Sequence, residues 1–153
     1  MSHNDTQAYI RRETRLSVLI NMVFSLVFFL LVFGIGHPVP VWGMGHLAFD
    51  TLPQSAAIAA MSTLVPGFIA RSKTRRGLLP RLAGSSRLPR NIWLRALVVA
   101  ALSALLGGAL AGGALLALGA STLPWWPVLA AKLAYGAGLA GLVTPITLAA
   151  ALR

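Results

Sequence analysis

Cysteine is absent, and acidic residues nearly so: Asp5, Glu13 and Asp50 are the only three in 153 residues. The first absence excludes disulfides, thiolate metal sites and cysteine nucleophiles. The second leaves almost no material for a paired-carboxylate mechanism, and no histidine or carboxylate accompanies a serine at membrane depth to activate it. There is no glycine-rich phosphate loop, because the Gly107-Gly108 and Gly112-Gly113 pairs lie inside an apolar run and read as packing positions. Charge of either sign is also scarce. Charged residues make up 10% of the chain, whereas a soluble domain uses about 25% to cover its surface. In their place stand 57% hydrophobic residues and a mean hydropathy of +0.77. The sequence therefore predicts a non-enzymatic membrane protein with no cofactor and no metal.

The few charges are placed with a strong bias. Arg11, Arg12 and Arg15 precede the first apolar run; Arg71, Lys73, Arg75, Arg76, Arg81, Arg87, Arg90 and Arg95 lie between the second and third; Arg153 ends the chain. Loops rich in Lys and Arg are retained on the cytoplasmic side, so this pattern predicts that both termini face the cytoplasm. Only Lys132 departs from it. The formal charge of +10 points to anionic lipid at the 71–95 basic loop rather than to nucleic acid, since juxtamembrane basic residues gain about 1 kcal/mol each from an anionic leaflet.

Four apolar runs follow. An N-terminal cytoplasmic segment covers 1–15. The first span is 16–36, long enough to cross a ~30 Å hydrocarbon core and stopped by His37-Pro38-Val39-Pro40. An outer loop covers 37–50. The second span is 51–70, opening on Thr51-x-x-Gln54 with capping-box spacing. The basic cytoplasmic loop is 71–91, the third span 92–119, an outer turn 120–126 and the fourth span 127–152 with Pro145 inside it. The fold class is an all-α, single-domain membrane protein over 1–153: a four-transmembrane-helix bundle of two antiparallel hairpins with spans three and four packed together first. Thr51-Leu52-Pro53 and Thr122-Leu123-Pro124 open the second and fourth spans alike; Thr and Pro suit helix starts in any case, and duplication of a hairpin is the alternative reading.

Three sets of residues stand out. Gly108 and Gly112 on the third span, and Gly138 and Gly141 on the fourth, are small-residue positions that let helix backbones approach. Ser17, Asn21 and Ser25 form a polar stripe on the first span, and Ser62 and Thr63 lie at similar depth on the second. Two readings stand for this inner stripe: Asn21 joins the first two spans, or a polar ligand pocket opens towards the cytoplasm. An outer cluster contains His37, His46, Asp50, Gln54, Lys132 and Tyr135. Here too there are two readings. Lys132 snorkels while Asp50 caps a helix, or the two pair across the bundle with a structural or ligand-binding role. Apolar turns separate the stripe from the cluster along the sequence.

The function these features predict is an accessory, assembly or lipid-interacting bundle in the bacterial inner membrane, acting as a homo-oligomer or with a membrane-protein partner. The alternative is a small oligomeric transporter of a hydrophobic or lipid-like solute.

Overall fold

The computed structural model describes residues 3–84 and 86–153, so Met1 and Ser2 of the N-terminal segment and Ser85 of the basic loop lie outside the described residues. It is all-helical apart from one two-residue ladder. The helices are α1 (His3–Phe33), α2 (Leu47–Arg75), α3 (Ile92–Leu118) and α4 (Trp125–Ala151); β1 (Val39–Pro40) pairs antiparallel with β2 (Thr122–Leu123). All four helices are long and apolar enough to cross a membrane. Most of the apolar side chains on their outer surfaces, such as Phe28, Leu31, Leu105, Leu110, Leu116 and Ile146, are exposed, while Ser17, Asn21, Ser55, Ser62, Thr144 and Thr147 are buried. Apolar outside and small polar inside is the arrangement that lipid solvent demands.

The helix boundaries differ from the sequence expectation in instructive ways. Residues 3–15 are helical and continuous with the first span, so α1 runs for 31 residues, about 46 Å. It stops at Gly34, whose φ of 65° is the left-handed conformation of a helix end and whose N–H reaches the Leu30 carbonyl. The start of α2 is Leu47, a turn before the expected one. Thr51 is thus inside the helix, donating to the Leu47 carbonyl at 2.9 Å, and the Thr51–Gln54 capping box does not form. Asn91 caps α3 as an N-cap should, its side-chain oxygen accepting from Trp93 and Leu94.

The packing order is the main correction. Spans three and four do not pack on each other first; α3 packs on α2, α1 packs on α4, and α2 and α4 pack together at the centre, while α1–α2 and α3–α4 barely touch. Exchanging one hairpin for the other maps α1–α4 onto α3–α2 and leaves α2–α4 and β1–β2 in place, so the contact pattern is pseudo-two-fold. The mean hydropathies follow the same division. The most apolar stretches of α1 and α3 reach 2.7 and 2.0 with 17% of each buried, against 1.3 and 1.5 with 39% buried for α2 and α4. Central helices exchange lipid contact for protein contact and so tolerate more polar residues.

Glycines explain where backbones approach, but only partly the expected ones. A β-carbon at Gly107 would collide with the Tyr135 hydroxyl and stand 2.6 Å from Ser55 Oγ; one at Gly136 would stand 2.5 Å from Ser25 Oγ. Gly108 meets the end of Leu52, and Gly141 is in ordinary contact with Val18 at 3.7 Å. Gly112 and Gly138 face open space, so these two do not pack helices within the chain.

Two apolar clusters close the ends. Phe29, Val39, Val41, Leu47, Trp125 and Val128 form one, where the two short strands meet; Trp125 Nε1 also donates to the Gly34 carbonyl at 2.9 Å. At the opposite, basic end, Ala70, Leu79, Leu148 and Leu152 gather with Tyr9 and Ile10, and Leu82 N donates to the Leu152 carbonyl at 2.8 Å. The start of α1, the 71–91 loop and the end of α4 therefore converge at one end of the bundle.

Candidate functional site

Because α1 and α2 barely touch, a cleft of about 470 Å³ opens between them, with α4 behind it. Phe24, Phe28 and Phe29 line it from α1, and Pro53, Ala57, Ile58 and Met61 from α2. Spacings of one, three and four residues keep these side chains on one broad face of each helix. Polar groups are few and confined to one strip: Asn21 and Ser25 of α1, Asp50 and Gln54 of α2, and Lys132 of α4. From Asp50 to Met61 the cleft runs about 16 Å along α2 at 1.5 Å per residue. An apolar cavity of this size with a few convergent polar groups is the usual form of a small-molecule site.

At one end of the strip, Lys132 Nζ donates to Asp50 Oδ2 in an ion pair between α4 and α2. The lysine side chain is 8% exposed and the aspartate 22%. Asp50 occupies the first turn of α2, where the helix dipole favours an anion. The ammonium also lies 5.6 Å from the Phe33 ring centroid. Of the two readings of this cluster, the geometry is that of the pair: Lys132 is buried rather than snorkelling, and Asp50 does not cap α2, whose N-cap is His46.

Next along the strip, Gln54 Nε2 donates to Ser25 Oγ at 3.2 Å, while Gln54 Oε1 is buried with no hydrogen-bond partner. A buried acceptor left unpaired costs roughly 1–3 kcal/mol. Below it the inner stripe closes on itself. Asn21 Nδ2 donates to the Ser17 carbonyl at 2.8 Å and to Ser62 Oγ at 3.2 Å, Ser17 Oγ donates to Ser62 Oγ at 3.2 Å, and Thr144 Oγ1 donates to Ser17 Oγ at 2.8 Å. Asn21 thus joins α1 to α2 and also lines the cleft. Pro66 has no N–H for the Ser62 carbonyl; Thr147 Oγ1 of α4, which bonds the Val143 carbonyl of its own helix at 2.9 Å, lies 3.4 Å from it. Gln54–Ser25 bridges what looked like separate inner and outer groups.

The other candidate residues lie elsewhere. His37 is exposed, and His46 Nδ1 meets the Trp42 carbonyl; neither imidazole lines the cleft. Tyr135 points the other way, to Ser55 at 2.6 Å and the notch at Gly107. Thr63 bonds the Ala59 carbonyl of its own helix at 2.7 Å. Among the described residues no three His, Cys, Asp or Glu side chains gather as a metal site would require. Sequence reasoning missed Thr144 and Thr147, whose three-residue spacing continues the face of Gly136 and Ala140, and it missed Ser55. Comparison with family models, curated proteins and solved structures finds no match to this chain.

Proposed function

We propose that this chain is a non-enzymatic, multi-pass protein of the bacterial inner membrane that binds a lipid-like or hydrophobic amphiphile in the α1–α2 cleft. Four apolar helices support the membrane, and the charge bias supports an orientation with both termini and the basic loop in the cytoplasm. The observation that carries the reading is the unpartnered Gln54 Oε1, next to Lys132 and Asp50, at the polar end of an otherwise phenylalanine-lined cleft. An apolar chain fits between the phenylalanines of α1 and the Ala57, Ile58 and Met61 side chains of α2, and a hydroxyl or amide N–H of its head satisfies Gln54. The basic end contacts anionic lipid, and a second copy or a membrane-protein partner covers surface that the fold leaves apolar.

A carrier reading of the same cleft has one observation in its favour. A smaller cavity of about 50 Å³ continues between the two helices towards Glu13, sharing Asn21 and Met61 with the larger one. A solute bound at Gln54 then has a groove leading to the basic end.

The test is photolabelling in native membranes with a diazirine-bearing fatty alcohol. Labelling concentrated on Phe28 and Ala57, and suppressed in Gln54→Leu, supports the site. Equal labelling of Leu110 on the outer face of α3 would reduce it to general lipid contact. Movement of a fluorescent analogue across proteoliposome membranes separates carriage from binding.

A further inference from the structure

We infer that the basic end holds a discrete site for a phosphate-bearing anion, at a second cavity remote from the cleft. It has a volume of about 400 Å³ and is lined by Arg71, Arg75, Arg81, Arg90, Arg95 and Arg153; among the described residues no Asp or Glu side chain lines it. Glu13 faces Lys73 at 4.0 Å and Asp50 faces Lys132, so neither carboxylate is set against Arg71, Arg75, Arg81, Arg90 or Arg95.

Charge bias alone asks only for basic residues in solvated loops, and this cavity goes further. Arg95 is 2% exposed, although it belongs to the first turn of α3. Its Nε donates to the Pro89 carbonyl at 3.0 Å and its Nη1 to the Thr147 carbonyl at 3.3 Å. Arg71 Nη2 donates to the Arg90 carbonyl, one residue along. Two guanidinium groups from different helices are thus fastened to adjacent carbonyls of the loop, and both face the same cavity. Thr74 adds a buried hydroxyl with no hydrogen-bond partner on the same wall. Arg95 is buried against carbonyl oxygens with no carboxylate beside it, and a buried cation without a counter-charge is costly. A phosphate answers each feature at once: its oxygens match the guanidinium fork, accept from the Thr74 hydroxyl and neutralise the cluster.

The chemistry suits either a phospholipid headgroup reached from the bilayer or a soluble phosphate reached from the water. The inference deepens the anionic-lipid part of the proposed function. Its failure would leave the cleft standing, because the probes and the residues are different.

The full chain in phosphatidylcholine nanodiscs is titrated with inorganic pyrophosphate, and in a parallel arm the discs contain phosphatidylglycerol, with bound lipid counted by native mass spectrometry. Arg71→Gln and Arg81→Gln are compared with Arg76→Gln and Arg87→Gln, which change the same loop region outside the cavity. A discrete site gives at least a tenfold loss of affinity for the first pair and less than twofold for the second. Saturation by pyrophosphate identifies a soluble ligand, and retention of phosphatidylglycerol alone identifies a headgroup. Equal losses for all four variants would mean a diffuse basic surface and overturn the inference, as would no binding in either arm. Arg95 is left unchanged, because Gln or Lys there would break its bonds to the Pro89 and Thr147 carbonyls; the thermal stability of Arg71→Gln and Arg81→Gln is read beside their binding.

Discussion

The hydroxyl of Tyr135 on α4 lies where a β-carbon on residue 107 of α3 would stand, and it bonds Ser55 of α2 at 2.6 Å. Three helices meet at this one notch. Gly107→Ala is expected to push the tyrosine aside and cost about 1–3 kcal/mol, the usual range for overpacking. Tyr135→Phe alone leaves Ser55 its bond to the Thr51 carbonyl at 2.6 Å and is expected to be mild. In the double variant the losses should be less than additive, as residues in contact are. Thermal unfolding in detergent reads all three; strict additivity would mean that the two residues do not share the space.

Lys132 and Asp50 should behave as a pair. Removing either leaves a lone charge among apolar side chains, whereas removing both leaves none. Each single alanine variant is therefore expected to be less stable than the double. The loss should fall below the roughly 3–5 kcal/mol of fully buried pairs, because the carboxylate is partly exposed. Singles that match wild type in stability would show that the pair contributes nothing to the fold.

The glycines sort into two classes with opposite outcomes. Gly112→Ala and Gly138→Ala meet open space and are expected to be neutral, or stabilising by up to about 1 kcal/mol through helix propensity. Gly136→Ala would press on Ser25 and separate α1 from α4. If Gly112→Ala or Gly138→Ala changes the oligomer size in size-exclusion chromatography with light scattering, that face contacts a second copy. Gly108→Leu is a poor probe of oligomerisation because it strikes Leu52 within the chain.

Asn21→Leu removes the amide that joins α1 to Ser62 of α2, and an interhelical hydrogen bond of this kind contributes roughly 0.6–2 kcal/mol. Ser17–Ser62, Gln54–Ser25 and Glu13–Lys73 still join α1 to α2, so the expected result is a cleft widened locally at residue 21 and faster cross-linking of that part of α1 to added lipid probes. An unchanged cross-linking rate would show that Thr144 and Ser17 hold the helix alone.

Orientation can be read directly, since the natural chain has no cysteine. His37→Cys and Ser121→Cys are expected to react with an impermeant maleimide added outside intact cells, and Ser72→Cys only after permeabilisation. The reverse pattern would invert the topology inferred from charge.

Much of the architecture was legible from composition. Helix count, the proline-marked turns and the basic end follow from hydropathy and charge, which act through solvent and need no knowledge of neighbours. The partnering of helices was not legible in that way. Short turns suggested that α3 packs on α4, yet the α1–α2 and α3–α4 connections pair through Val39–Leu123 and Pro40–Thr122 and hand each hairpin's first helix to the other's second. The lower hydropathies of α2 and α4 carried that information. For the site, Gln54, Lys132, Ser25 and Asn21 were legible as polar residues within spans, and Asp50 as a candidate partner of Lys132 at the edge of the outer loop. Their union around one cleft was not, because it depends on α1 standing away from α2. His37 and His46 were drawn in by residue type alone; the loop geometry turns them elsewhere.

The central claim is an amphiphile in the α1–α2 cleft, and the most direct measurement is native mass spectrometry of protein released gently from its own membrane, wild type beside Ala57→Trp. Ala57 lies between Asp50 and Met61 on the cleft wall and is exposed there, so an indole takes up cleft space while Asn21, Lys132 and Asp50 keep their identities. The expected result is a bound small amphiphile retained by the wild type and lost from a correctly folded Ala57→Trp variant. The same adduct retained equally by both proteins would contradict the claim.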